Sequence, residues 1–250
     1  MCISLILLIA CHYSSAQQPE KGLLAGFLLS ARTLKDDAMS SLAYRGATAG
    51  VALRFVYDNA HTVHDVEAWA ATGQLHDHNR QSALRENEFG ATYQALFSLN
   101  KSRRLRFSLG GELNSFLQLR KNRQYNNNPE YYVFNSGIGP VVKGSYAFSG
   151  RWELSTSLFC PVASLLSVSY GKDNKENDFY FPTPGTILKN VQPAWWNRYA
   201  GLGMNTTLRM PAGKRNRLYI AWKWQYYRIR EINDLQSATN NITVNYYFSL

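Results

Sequence analysis

Apolar and polar residues alternate along most of the chain. The last stretch, 242–250, shows the pattern best. Ile242, Val244, Tyr246, Phe248 and Leu250 fall on one side, and Thr243, Asn245, Tyr247 and Ser249 on the other. A period of two is the signature of a β-strand with one apolar and one polar face. Residues 88–99 repeat it: Phe89, Ala91, Tyr93, Ala95, Phe97 and Leu99 oppose Glu88, Gly90, Thr92, Gln94 and Ser98. So do 104–119, with Leu105, Phe107, Leu109 and Leu113 against Arg106, Ser108, Gly110 and Glu112. Further strands are predicted over 22–33, 43–57, 61–73, 131–148, 151–170, 194–210 and 217–228. The pattern is least clean in 61–73, and Pro161 marks a bend or bulge within 151–170.

That reading yields ten strands, and the connections between them alternate long and short. Segments 34–41, 74–87, 120–130, 171–193 and 229–240 are long and polar. The turns around 58–60, 100–103, 149–150 and 211–216 are short. The apolar face carries large side chains on nearly every strand, more than the inside of so small a barrel holds. The opposite face is rich in Gly, Ser, Thr and Asn, with charges of both signs: Arg54, Asp65, Glu67, Glu88, Arg106, Glu112, Lys143, Glu153, Arg209 and Lys223. Aromatics recur near strand ends, as Tyr57, Phe89, Tyr132, Phe148, Trp152, Trp195, Trp196, Tyr226 and Phe248.

An even strand number, loop asymmetry, aromatic ends and an inverted polarity together resemble the Gram-negative outer-membrane β-barrels. The expected fold is all-β: an antiparallel up-and-down transmembrane barrel of about ten strands, with short periplasmic turns and longer extracellular loops. In that class both termini lie in the periplasm and the last strand is a signal for insertion. Ile242, Val244, Tyr246, Phe248 and Leu250 would carry that signal, although the chain ends on Leu250 and not on an aromatic. The implied partners are outer-membrane lipids, lipopolysaccharide and, during insertion, the barrel-assembly machinery.

The N-terminus fits export. Residues 3–10 form an apolar run too short to span a bilayer, followed by Ser14, Ser15 and Ala16. A signal peptide over 1–16 and a barrel domain over 17–250 are expected. Leu8-Ile9-Ala10-Cys11 also resembles a lipobox, so lipidation of Cys11 stays open against cleavage after Ala16. After cleavage Cys160 is the only cysteine, which excludes a disulfide framework and a CxxC redox pair. Lys and Arg number 27 against 17 acids, a net +10. In an exported barrel this excess suits lipid phosphates and not nucleic acid. Arg120, Lys121, Arg123, Arg228 and Arg230 are expected beside the extracellular loops.

Little in the chain points to chemistry. The lumen charges read first as an ion-paired plug, because a buried charge needs a partner. His76-Asp77-His78 has the residue types of a divalent-metal site but no supporting cluster, and no metal or other cofactor is expected. His61 shares a face with Asp65 and Glu67, but no serine stands at a G-x-S-x-G elbow. The acids expected at the extracellular rim are Asp36, Asp37, Asp77, Glu86, Glu88, Asp173 and Asp178. Aromatic residues 179–181, just before Trp195 and Trp196, could line a girdle or meet a partner. The expected role is therefore non-enzymatic: surface binding or anchoring, or service to a larger envelope complex. A narrow channel for small polar solutes and a rim-located hydrolase are the alternatives.

Overall fold

The computed structural model describes residues 20–37, 40–59, 61–100, 102, 104–122, 130–149, 152–169, 183–213, 216–230 and 234–249. The expected signal peptide with Cys11, the aromatic run 179–181, Arg123, Asp173, Asp178 and Leu250 lie outside these residues. The strands are β1 (Glu20–Asp36), β2 (Ser40–Asp58), β3 (Thr62–His76), β4 (Ala83–Ser98), β5 (Leu105–Asn122) and β6 (Glu130–Ser149). They continue as β7 (Trp152–Phe159), β8 (Ala163–Val168), β9 (Gln192–Ala194), β10 (Tyr199–Pro211), β11 (Arg217–Arg230) and β12 (Asp234–Ser249). One short helix, α1 (Pro184–Lys189), lies between β8 and β9. No described helix is long and apolar enough to cross a membrane.

Every strand pair is antiparallel, and the sheet closes on itself. β1 pairs with β12, from Gly22 opposite Ser249 to Asp36 opposite Leu235. The other end is joined by β5 and β6. The result is a ten-stranded barrel with two additional strands, because two of the ten are interrupted. β7 and β8 together form the strand expected over 151–170, broken at Pro161. Pro161 has no N–H to give a ladder, which is the reason for the break. Across the same seam Phe159 faces Gly203 whereas Ser164 faces Ala194, so residues 195–198 bulge out between β9 and β10. Trp196 Nε1 donates to Pro161 O at 2.5 Å and bridges the break.

The apolar face points outward. Phe27 (76% exposed), Leu29 (63%), Phe97 (60%) and Leu53 (56%) are typical of a belt that runs around the wall. A surface this apolar on this many strands needs an apolar solvent. Near the chain termini, aromatic contacts line its edge: Tyr246 with Phe248, Tyr146 with Phe148, and His64 between Tyr57 and Tyr93.

The strands run further than the alternation alone indicates. β12 starts at Asp234, β4 at Ala83, and β3 ends at His76. Much of the expected 34–41, 74–87 and 229–240 connections is therefore hairpin. The outer row turns polar there because it leaves the belt, while the inner row goes on burying residues such as Leu34, Leu75, Leu84 and Leu235. These extensions form the end of the barrel opposite the termini, called the far end below.

Candidate functional site

The inward row builds three layers inside the barrel. The first, nearest the termini, pairs Arg209 with Glu153 at 2.6 Å and with Glu20 at 3.6 Å. Arg217 also meets Glu20, and Arg106 donates two hydrogen bonds to Asp58 at 3.0 and 2.8 Å. Leu24, Tyr219 and Tyr247 pack beside this layer.

The middle layer holds Arg54, which donates from Nε to Asp65 at 2.7 Å. Lys223 Nζ lies 3.6 Å from Glu67 and 4.6 Å from the centre of the Trp69 ring. Glu112 accepts from Gln94 Nε2 at 2.5 Å and from Asn114 Nδ2 at 3.4 Å. Lys143 lies in the field of Asp65 and Glu153 without a hydrogen-bonded carboxylate among the described residues. Gly90 is required here: a β-carbon on it would stand 2.1 Å from the Trp69 ring. The space left between Arg54, Asp65, Glu112, Asn114 and Lys223 is about 30 Å³. That is room for about two water molecules.

The third layer is the far-end core. Arg32 donates to Glu86 at 2.7 Å and also contacts Glu88. Arg120 reaches the same Glu86 at 3.2 Å, lies 3.7 Å from Asp36, and donates to Tyr227 Oη at 3.1 Å. Tyr227 in turn donates to Gln118 at 2.5 Å. Packed against this cluster are Leu34, Tyr44, Leu75, Leu84, Phe116, Val133, Leu166, Tyr199, Ile229 and Leu235. Leu34, Leu75, Leu84 and Ile229 are fully buried. Each such side chain contributes about 1.5–3 kcal/mol relative to exposure. The far end of the lumen thus has an apolar core like that of a water-soluble domain.

The ten charges picked out by alternation all occupy the inward row, but only some of them pair with one another. Arg54 with Asp65, Glu67 with Lys223, and Glu153 with Arg209 do so. Arg106 and Glu88 use Asp58 and Arg32 instead. Seven further members, Glu20, Arg32, Asp36, Asp58, Glu86, Arg120 and Arg217, were not singled out for the lumen. Arg120 corrects a specific expectation: it does not face lipid phosphates but is 1% exposed inside the barrel. Strand parity carried the signal, since Arg32 and Arg120 sit in the inward rows of β1 and β5. Asp36 and Glu86, expected at a solvated rim, are likewise buried beside Arg120.

The outward partners differ. Arg228 donates from Nε to Asp234 at 2.8 Å across the β11–β12 hairpin, above Tyr226. That hydrogen bond holds the Asp234 carboxyl below its usual range. Ile242, Val244 and Phe248 are exposed on the outer wall, and Tyr246 is half-buried beside Phe248. His64 donates to or accepts from Tyr93 Oη at 2.9 Å on the outer wall, away from Asp65 and Glu67. His76, Asp77 and His78 do not converge on a metal: among the described residues no group of three or more His, Cys, Asp or Glu could hold one.

A closed antiparallel barrel, apolar outside and charged within, is the fold of the Gram-negative outer-membrane β-barrels. The outer-membrane protease OmpT of Escherichia coli superposes on 96% of this chain and 99% of its own with a TM-score of 0.54, at 9% identity. The attachment invasion locus protein Ail of Yersinia pestis covers 93% of this chain at a TM-score of 0.40 and 12% identity. The toluene transporter TbuX of Ralstonia pickettii covers 94% at 0.36 and 6%. No protein-family model matches the chain, and no curated protein matches it in sequence. Architecture shared with a protease assigns no activity.

Proposed function

We propose that the protein is an integral outer-membrane barrel whose lumen is plugged, and that it acts without catalysis through its far, extracellular end. The observation that carries this reading is the filled interior: two ion-paired layers lie below an apolar core that includes Leu34, Leu75, Leu84 and Ile229. An open polar pore lines its constriction with hydrated groups. Here the far end is filled by buried leucine, isoleucine and tyrosine side chains packed with the buried ion pairs of Arg32, Glu86 and Arg120.

The acids also support it. A rim hydrolase needs carboxylates or a base free to take a proton. Glu86 and Glu88 are held by Arg32, and Glu86 also by Arg120. Asp77 forms no carboxylate–imidazole pair with His76 or His78. Surface anchoring or service to an envelope complex is what such a barrel can offer. Conductance of the purified full-length protein across planar bilayers tests the reading. Silence is expected, and regular stepwise currents would establish the channel instead.

A further inference from the structure

The cavity in the middle layer is built on a grid of inward side chains. Asp65, Gln94 and Glu112 stand opposite one another across β3, β4 and β5, and Glu67, Thr92 and Asn114 form the next row. All six line the space of about 30 Å³, together with Arg54 and Lys223. Phe159 and Pro161 add apolar lining. Glu112 is 5% exposed and Asn114 is 4% exposed.

The charges of this lining do not balance. Three carboxylates, Asp65, Glu67 and Glu112, stand against two cations, Arg54 and Lys223, which leaves one negative charge over. The pairing shows which one it is. Arg54 holds Asp65, and Lys223 lies 3.6 Å from Glu67. Glu112 has no cationic partner among the described residues, and accepts only from the side-chain amides of Gln94 and Asn114. Lys143 is not part of the lining. Amide dipoles soften a buried charge without cancelling it, and a buried charge needs a counter-charge. A second need lies beside the first. Asn114 Oδ1 is buried without a hydrogen-bond partner, and a buried acceptor left so is costly. Water would satisfy that oxygen and still leave the charge on Glu112 unmet.

We propose that the middle layer binds a small monovalent metal cation, held by the Glu112 carboxylate and Asn114 Oδ1. Carboxylate and carbonyl oxygens are the ligands that hard cations take. One positive charge brings the lining to neutrality, where a divalent ion overshoots. The space has room for about two water-sized occupants, so the ion keeps one water and sheds the rest. The ion enters from the end with the termini, where Glu20, Glu153, Arg209 and Arg217 are partly exposed. The site goes beyond the plugged-lumen reading and does not rest on it. It is separate from the far-end core, so it holds whether or not that core conducts.

The test follows thermal unfolding of the full-length protein in detergent micelles, in sodium, potassium or choline chloride at equal ionic strength and neutral pH. Choline carries the same charge but is too large for the cavity. The unfolding midpoint should rise by several degrees from choline to sodium or potassium, and climb with the logarithm of the metal concentration. In Glu112→Gln the rise should vanish, while Asp37→Asn, at an exposed acid, should keep it. Asn114→Asp adds a carboxylate and should turn the response toward calcium, a gain that lost packing does not produce. Sodium-23 relaxation reads binding directly, and its enhancement by wild type should be absent with Glu112→Gln. Equal midpoints in choline and both metal salts would overturn the site, as would a full rise retained by Glu112→Gln. A protonated-carboxyl infrared band present in wild type and absent from Glu112→Gln would overturn it too, because the counter-charge is then a proton.

Discussion

At the scale of single residues, the lumen is where a substitution costs most. Glu86 is fully buried and shared by Arg32 and Arg120. Removing it leaves two guanidinium groups short of their counter-charge, and breaking such a buried pair costs about 3–5 kcal/mol. Glu86→Gln should therefore lower the urea-unfolding midpoint of the detergent-solubilised barrel markedly, as read by tryptophan fluorescence or gel mobility. Gly90 is the second case. Its missing β-carbon is the space occupied by the Trp69 ring, and both residues face inward from adjacent strands. Gly90→Val should destabilise by about 1–3 kcal/mol through overpacking, with Trp69 emission shifted in the folded protein. Alternation placed Gly90 on the polar face of its strand but not against Trp69, and it left Glu86 in an expected connection. Glu86 looks like one acid among several in a polar stretch until parity through β4 places it inside.

At the scale of strands, alternation located the barrel well and its far end poorly. Where both rows alternate, as in β5 and β12, the outward face and the wall came directly from the sequence. Beyond the belt the outer row becomes polar, so a test for apolar–polar contrast stops although the strand does not. The inward row of β3 and β4 continues through Leu75 and Leu84, and that row holds the far-end core. The break at Pro161 was legible, because proline cannot give a ladder hydrogen bond. The outward bulge at 195–198 on the neighbouring strand was not, since nothing in Trp195 or Trp196 distinguishes a bulge from a girdle.

Two predictions belong to this scale. β12 closes the barrel against β1 and carries the outward Ile242, Val244, Tyr246 and Phe248. Deleting residues 246–250 should abolish assembly, with the chain missing from the outer-membrane fraction, whereas Leu250→Phe should be tolerated. At the other end of β12, Asp234 is held ionised by Arg228. Its folded pKa lies below the unfolded one, so the pair's contribution is complete above the ordinary aspartate range and fades as pH falls through the lowered value. Amide exchange at Leu235 and Gln236 should quicken on acidification in the wild type. In Asp234→Asn it should already be faster at neutral pH and respond less to acid.

At the scale of the whole molecule, the barrel combines two solvents' rules. Its outer wall follows the rules for lipid, and its far end follows those for water-soluble domains, with leucines and tyrosines packed over buried ion pairs. The inverted polarity was legible because the apolar row carries too many large side chains for any interior. The buried core at the far end was not, because its members are scattered as single residues on six or more polar-looking strand ends. That core separates a plug made of charge, which water can penetrate, from one that excludes water. Single-channel recording on the purified full-length protein in planar bilayers tests this most directly. The filled lumen predicts no stepwise conductance at neutral pH in wild type, and measurable steps in a variant that opens the core, such as Leu34→Ser with Leu84→Ser and Arg120→Ser. Reproducible steps of uniform size in the wild type would contradict it.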